Sequence, residues 1–140
     1  MFNKSTICKT ANKLRKQGYT LSQAFRMAWR LAKGTASVKV AGVSKGSRQT
    51  AIQHLISYSP EDVRITLIRE NRNTFDSNAI AVMVSVNGSQ IYKMGYIPAA
   101  AAALLSGVMD NITTVKASLK AITGGWYADM MCGLRLSLSI

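Results

Sequence analysis

The spacing of apolar residues changes at about residue 37, and this change constrains the fold more than any other feature of the 140-residue sequence. Before it, apolar residues recur every three or four positions, as on one face of a helix. After it, they alternate with polar residues in short runs, as in strands that bury one face. The chain is therefore predicted to be α+β, with helices first and a sheet after them.

The first part, residues 1–36, is predicted to form a helical hairpin. Gly18 separates two amphipathic stretches, and Gly34 is suited to end the second one in a left-handed conformation. Thr20 or Ser22 can cap the second helix, because a hydroxyl accepts hydrogen bonds from the free N–H groups of a first turn. Basic residues fall outside the apolar stripe. We therefore expect a basic outer face that consists of Lys13, Lys16, Arg26, Arg30 and Lys33.

The remainder, residues 37–140, is predicted to form about six antiparallel strands and one or two short helices. Asn87-Gly88 lies between two alternating runs and indicates a tight hairpin, because both residue types tolerate positive φ. Gly95, in the returning strand, is expected at a bulge or at a close approach of two backbones. Pro98 is suited to start an alanine-rich helix between strands. This pattern favours a small β-barrel, closed or partly open, over a sandwich.

Positive charge is concentrated at one end of the chain. The formal net charge is +12; residues 1–50 carry eleven Lys or Arg and no acidic residue, whereas residues 51–140 carry seven against six. Such a block suits a polyanion, because each phosphate that a cation neutralises releases condensed counterions. Nucleic acid is the favoured partner, although an anionic membrane or an acidic protein surface would also attract this charge.

Several other classes of protein find little support in the sequence. Cys8, Cys132 and the single His54 do not form a metal-ligand pattern, so we expect no metal and two ordinary thiols. The sequence has no glycine-rich phosphate loop and no catalytic motif, so we expect neither an enzyme nor a cofactor. The first residues lack the apolar core of a signal peptide, and the longest apolar run, residues 97–105, is too short to span a bilayer. A cytoplasmic protein without a membrane partner is expected.

One polar loop, residues 69–76, carries an unusual combination of side chains. Arg69 and Arg72 supply cations and Phe75 supplies an aromatic face, which are the features that single-strand binders use for backbone and bases. Asp76 is unexpected among cations unless it accepts a hydrogen bond from a hydroxyl or a base edge. Structural alternatives stay open: Phe75 can be buried under the loop, Asp76 can stabilise a turn, and Arg69 can pair with an acidic neighbour.

The stretch from Val38 to about Val108 resembles a HIRAN domain. The resemblance rests on VAGV in the first strand, on VRITLIRENRNTFDSNAIAV around the polar loop, and on GYIP before a helix. It implies an OB-like β-barrel that binds DNA, in some members by capturing the 3′ end of a single strand. By motif position it assigns base stacking to Phe75, acceptance of the terminal sugar hydroxyl to Asp76, and a contact with base or backbone to Asn73.

The resemblance also implies that Tyr96, which lies within GYIP, faces the groove in which DNA is bound. Eukaryotic members carry an aromatic pair soon after the first-strand glycine, whereas this chain reads GVSKGSRQ there. Lys45 and Arg48 are the residues expected to hold phosphate in that place. A C-terminal aromatic of the family would be supplied here by Trp126 or Tyr127.

Together these features predict a stand-alone module for single-stranded DNA or DNA ends. The residues expected to bind it are Lys45, Arg48, Arg69, Arg72, Asn73, Phe75, Asp76 and Tyr96. The alternative is an interaction protein, encoded by a phage or mobile element, that inhibits a host nucleoprotein complex of defence or repair. In that case the basic face of residues 1–36 would dock on the host complex and the barrel would be scaffold.

Overall fold

The structure, a computed structural model, describes residues 3–88, 90–124 and 131–140. Its helices are α1 (Lys4–Lys16), α2 (Leu21–Lys33), α3 (Arg48–Leu55) and α4 (Ala99–Asn111), with a single 3₁₀ turn at Pro60–Asp62. Its strands are β1 (Ala36–Lys39), β2 (Val63–Arg69), β3 (Ile80–Val86), β4 (Tyr92–Tyr96), β5 (Lys116–Gly124) and β6 (Cys132–Ser139). This order confirms the predicted α+β class, with a helical hairpin before the sheet. The predicted aromatic candidates Trp126 and Tyr127 lie outside the described residues.

Local capping explains where the two helices of the hairpin begin and end. The side chain of Asn3 accepts a hydrogen bond from the backbone N–H of Thr6 at 3.1 Å and starts α1. In α2 the Thr20 hydroxyl accepts from the backbone N–H of Gln23 at 3.2 Å, and the Gln23 side chain accepts from the Thr20 N–H at 3.1 Å. Gly34, with φ of 70°, ends α2 in the left-handed region. The structure thus selects Thr20 over Ser22 as the cap.

The hairpin packs on the barrel instead of extending from it as a separate arm. A small core of Ile7, Ala11, Leu14, Ala24 and Ala28 joins α1 to α2. Leu104 of α4 contacts this core and also packs against the barrel core, in which Leu31 of α2 is buried. The N–H of Ile140 donates to the Leu31 carbonyl at 3.1 Å. The end of the chain therefore fastens α2 to the sheet.

All six strands form one antiparallel sheet in the order β1-β6-β5-β2-β3-β4. Side chains alternate across it as predicted: Val63 and Ile65 of β2 face the core, and Arg64 and Thr66 face solvent. Asn87 and Gly88, directly after β3, have φ of 49° and 75°, the positive values expected of a tight turn. The returning strand, β4, starts at Tyr92.

The two edges of the sheet meet at one point, so that the sheet curls into a partly closed, OB-like barrel. Beyond β1, the N–H of Val40 donates to the Leu134 carbonyl of β6 at 2.9 Å. The next residue, Ala41, exchanges two hydrogen bonds with Tyr96 of β4, at 2.7 and 2.9 Å. A Cβ on Gly95 would meet the Ala41 carbonyl oxygen, so only glycine permits this approach. The prediction of close backbone approach at Gly95 is confirmed.

Candidate nucleic-acid interface

An open groove of about 710 Å³ lies where the barrel closes. Four segments form its walls: the connection from β1 into α3, the loop between β2 and β3, the end of β4, and the start of α4. The lining residues are Ala41, Lys45, Arg48, Arg72, Asn73, Thr74, Phe75, Asp76, Ala79, Tyr96, Ile97 and Ala99. Seven of the eight side chains expected to bind DNA therefore lie together, although they come from three separate parts of the sequence.

Arg69 is the predicted residue that the structure places outside the groove. Its guanidinium forms a two-point ion pair with Asp110 of α4, with Nε and Nη2 at 3.0 and 3.1 Å from the carboxylate oxygens. Its remaining donors reach the carbonyls of Ala79 at 2.9 Å and Ser77 at 3.1 Å. The side chain is only 15% exposed. Arg69 therefore fastens the loop to α4, and four of its five N–H donors bond within the protein.

A second network fixes the base of the loop to β4. The Glu70 carboxylate accepts hydrogen bonds from Lys93 Nζ at 2.7 Å, from the Tyr96 hydroxyl at 2.9 Å and from Asn73 Nδ2 at 3.1 Å. Lys93 also donates to the Tyr96 hydroxyl at 3.0 Å and lies 5.0 Å from the centre of that ring. The Tyr96 hydroxyl is thus committed to the network, which leaves the ring as the part that lines the groove.

These contacts shift the charged groups toward their ionised forms. The hydrogen bond from Lys93 is the main cause that lowers the pKa of Glu70 below its usual 4.5, and those from Tyr96 and Asn73 add to it. The hydrogen bond to Glu70 is the main cause that raises the pKa of Lys93 above 10.5. The pair is therefore ionised across the whole neutral range.

Asn73 shapes the turn that carries the tip of the loop. Its side-chain oxygen accepts from the backbone N–H of Phe75 at 2.8 Å and from that of Asp76 at 3.1 Å. Since its amide nitrogen donates to Glu70, both ends of this side chain are occupied. Asn73 lines the groove, but its observed contacts position its neighbours, in the manner of an Asx turn.

Phe75 projects from the tip of this braced loop. Its side chain is 98% exposed, so the alternative that it is buried under the loop is wrong. The next most exposed large apolar side chain in the described ranges is Ile56, at 60%. A phenylalanine with no protein cover on a loop held by so many hydrogen bonds offers its ring to a ligand.

Asp76 stabilises a turn, which is one of the two roles that the sequence left open. Its Oδ1 accepts from the backbone N–H of Asn78 at 2.9 Å, which stabilises the turn back into β3. Within residues 3–88, 90–124 and 131–140, no donor bonds its other carboxylate oxygen. The half-buried carboxylate lies in the groove beside Phe75 and can accept one more hydrogen bond there.

Three cations surround these residues. Lys45 and Arg72 are exposed, and Arg48 is half-buried because its Nη1 donates to the Gly42 carbonyl at 2.7 Å. Ala99, the first residue of α4, also lines the groove, and the N-terminal end of a helix carries partial positive charge. The groove thus combines positive potential, an exposed aromatic ring and a single carboxylate.

Comparison with known proteins assigns most of the chain to a family. The family model described as HIRAN domain matches residues 33–139. The chain belongs to the HIRAN domain family. HIRAN domains are nucleic-acid-binding modules, so membership supports a DNA-binding role for this chain.

The chain is also similar to a crystal structure of a protein from Lactobacillus plantarum, a structural genomics target. The two share 20% sequence identity with a TM-score of 0.49, over 74% of this chain and 92% of that one. A search of curated proteins found no match.

The HIRAN match begins at Lys33, the last residue of α2, so nearly all of the hairpin lies outside it. The structure divides the predicted basic face. Arg26, Arg30 and Lys33 line one shallow depression on α2. Lys13 is half-buried elsewhere, where its side chain packs over Gly107 of α4. Lys16 is exposed on α1.

Sequence reasoning missed the bracing residues of this HIRAN domain. Lys93 and Asp110 are 23 and 41 positions away from Glu70 and Arg69, and no local pattern connects them. The sequence showed only that Arg69 stands next to Glu70 at the end of a strand and so could pair with an acidic neighbour. The actual partners of these two residues were not predicted. In the part of the chain that the structure describes, no helix is long and apolar enough to cross a membrane. Over the same residues, no group of three His, Cys, Asp or Glu could hold a metal ion.

Proposed function

We propose that this HIRAN domain binds single-stranded DNA in the groove and prefers a strand that ends there with a 3′ hydroxyl. The observation that carries the proposal is Phe75, 98% exposed at the tip of a braced loop and flanked by Lys45, Arg48 and Arg72. A ring and several cations in one open groove suit a ligand that has both bases and phosphates.

Phe75 supplies the contact with a base. Stacking of a base on an exposed aromatic ring contributes about 1–3 kcal/mol and does not depend strongly on the base. Because Asn73, Glu70 and Arg69 already hold the loop, little conformational entropy is lost when the ring is covered. The Tyr96 ring, which also lines the groove, offers a second apolar surface.

The cations supply the contacts with the strand's backbone. Lys45 and Arg72 are exposed at the groove and can each reach a phosphate, and Arg48 adds charge from the start of α3. The first turn of α4 has no side-chain cap, so its free N–H groups also favour an anion. These contacts are independent of sequence and weaken with salt.

Asp76 supplies the preference for an end. A carboxylate repels the phosphate that continues a strand, but it accepts a hydrogen bond from a free sugar hydroxyl. Since Asn78 bonds only one carboxylate oxygen, the other is available for that hydroxyl. A 3′ terminus therefore fits beside Asp76 better than the middle of a strand does.

We take the chain to act by binding and not by catalysis. Among the residues that line the groove, Asp76 is the single acid, and there is no histidine. Such a set lacks the second carboxylate or the neutral-pH base that most hydrolytic mechanisms on nucleic acids require.

Fluorescence anisotropy with a 5′-labelled single strand tests the proposal. We expect binding at about 50 mM salt that weakens strongly at about 200 mM, and tighter binding to a 3′ hydroxyl than to a 3′ phosphate. Asp76→Asn keeps the contact with Asn78 but removes the carboxylate charge, so it should reduce the discrimination between the two ends. A blunt duplex serves as the control ligand.

Two results would contradict parts of this proposal. If no single strand binds at the lower salt concentration, the groove is not a DNA site, and an interaction protein that docks through its basic face becomes the better explanation. If the strand binds but hydroxyl and phosphate ends bind equally, DNA binding stands and the role of Asp76 fails.

A further inference from the structure

The outer face of the sheet carries a set of cations that the groove does not use. On β6, the residues that alternate with buried leucines point away from the core, and Arg135 is exposed among them. The neighbouring strands add further exposed cations on the same side of the sheet. Together with Arg135 we call them the basic sheet face: Lys39 of β1, Lys116 and Lys120 of β5, and Arg64 of β2.

The strand register brings three of these cations together. Lys39 lies directly opposite Arg135, and like charges in this position destabilise an antiparallel pair. On its other side Arg135 pairs with Ala121, which follows Lys120 at a bulge in β5. A Cβ on Gly133 of β6 would lie 2.9 Å from Lys39 Cε, so the stem of Lys39 extends over β6 beside Arg135. Three adjacent strands therefore hold a row of positive charge.

The four strands supply no acidic residue to offset this charge. Their sequences contain neither Asp nor Glu. Glu61 and Asp62 lie in the 3₁₀ turn that contacts β5, but both are exposed, and neither forms an ion pair within the ranges that the structure describes. The fold therefore keeps an unfavourable pair of like charges on an open surface, which suits an anionic ligand.

The other side chains of this face are small and carry hydroxyl groups. Ser37, Ser137 and Ser118 lie opposite one another across β1, β6 and β5, and Thr66 is exposed on β2. Arginine, lysine, serine and threonine are the side chains that contact phosphates in protein–DNA interfaces. A protein partner or a membrane would favour aromatic or apolar anchors, and Ile68 is the single large apolar side chain exposed on these strands. The composition therefore favours nucleic acid.

We propose that the basic sheet face binds the sugar–phosphate backbone of double-stranded DNA. Single-strand sites use aromatic rings on which bases stack, and the four strands contain no aromatic residue. In a duplex the bases are already stacked, and the backbone is the part that cations and hydroxyls contact. The inference goes beyond the proposed function, because the groove takes a strand end and this face takes a duplex. Ala41, two residues after Lys39, lines the groove, so the two sites meet along one segment of the chain.

Fluorescence anisotropy with a labelled blunt duplex tests this inference. Lys120→Gln with Arg135→Gln should make the log–log salt slope of duplex binding shallower by about 1.8, at about 0.9 per phosphate contact on a duplex. Lys4→Gln with Lys9→Gln removes the same charge from exposed positions on α1 and should leave the slope unchanged. Because Arg135→Gln relieves the repulsion from Lys39, the urea midpoint should not fall, and any lost affinity then reflects a lost contact.

The groove variant Phe75→Ala separates the basic sheet face from the groove, because it should weaken single-strand binding and leave duplex binding intact. If single strands bind but the duplex does not at about 50 mM salt, this inference is wrong and the groove proposal stands. If duplex binding depends on Lys120 and Arg135 while Phe75→Ala leaves single-strand binding unaltered, the groove proposal fails and the basic sheet face stands. Equal losses with the α1 pair, or displacement of the duplex by polyglutamate at equal charge, would also overturn the inference, because charge alone would then explain binding.

Discussion

The base and the tip of the loop between β2 and β3 use the same types of side chain for opposite purposes. Arg69, at the base, is 15% exposed and bonded to Asp110 and two backbone carbonyls. Arg72, three residues later, is exposed and lines the groove. Glu70 at the base is paired with Lys93, whereas Asp76 at the tip keeps one carboxylate oxygen available among the described contacts.

The comparison shows that charge alone does not identify a binding residue in this loop. At the base, each charge is neutralised inside the protein and the result is rigidity. At the tip, charges and an apolar ring are left to solvent, so both stay accessible to a ligand. Changes at the base should therefore affect the free energy of unfolding first, and changes at the tip should affect ligand binding alone.

Arg69→Ala is expected to give the largest effect. It leaves the Asp110 carboxylate without its partner and removes the donors from the Ala79 and Ser77 carbonyls. We expect a loss of about 2–3 kcal/mol in the free energy of unfolding, measured by urea denaturation. Arg64→Ala, an exposed arginine on the same strand, is the matched control and should cost under about 0.5 kcal/mol. If both variants lowered the free energy of unfolding equally, the contacts of Arg69 would add no stability. The base of the loop would then not differ from its tip in this respect.

Phe75→Ala is expected to have the next largest effect, and only on binding. Loss of one stacked base should weaken single-strand affinity by roughly 1–2 kcal/mol, about 5- to 30-fold. Because the side chain is 98% exposed, the urea midpoint should not fall. Ile68→Ala, which removes another exposed apolar side chain from β2, is the control and should leave affinity unchanged. A fall in stability with Phe75→Ala would show that the ring has a structural role.

The sequence predicted the fold because its local signals agree with one another. Thr20 and Gly34 bound a helix, Asn87-Gly88 closes a hairpin, and alternation in β2 shows which side chains face the core. Gly95 was predicted as a point of close approach, although its partner Ala41 could not be named. The partner depends on how far the sheet curls, and curling is a property of all six strands together.

The groove residues could be predicted because the resemblance to the HIRAN family named them. Which residues of the loop brace it and which face the groove could not be predicted. Arg69 and Arg72 look alike in sequence, since each is a basic residue near an acid. What separates them is Asp110 on α4, which comes close only when the helix crosses the barrel. Likewise, Asn73 suits either a ligand or a turn, and only the position of Glu70 decides which contacts its amide makes.

Glu70→Gln should have a smaller effect that depends on pH. Because the folded pKa of Glu70 lies below its usual 4.5, the carboxylate stabilises the protein above that value and loses this contribution as the pH falls through the lowered pKa. Lys93, whose pKa is raised above 10.5, contributes fully to the stability of the fold below that value. This contribution is lost as the pH rises through the raised pKa. The free energy of unfolding of the wild type should therefore exceed that of Glu70→Gln by on the order of 1 kcal/mol at about pH 6 to 9.

The difference should shrink as the solution becomes more acidic than pH 4.5. Urea denaturation of both proteins over this pH series measures it. Lys93→Met is the companion variant, and together with Glu70→Gln it should cost less than the sum of the two single changes, because both remove the same contact. A difference that grows toward acid would show that another group is responsible.

Arg72→Ala is expected to give the smallest effect, and it examines the tip most specifically. An exposed arginine that contacts one phosphate contributes to affinity through counterion release, so its loss should make the log–log salt slope shallower by about 0.7. Affinity should fall by a similar factor for different single-stranded sequences, because a phosphate contact does not read bases. The urea midpoint should stay that of the wild type, in contrast to Arg69→Ala. If Arg72→Ala instead changed the preference among bases while leaving the slope intact, Arg72 would contact a base edge, and the phosphate role assigned to this side of the groove would belong to Lys45 and Arg48 alone.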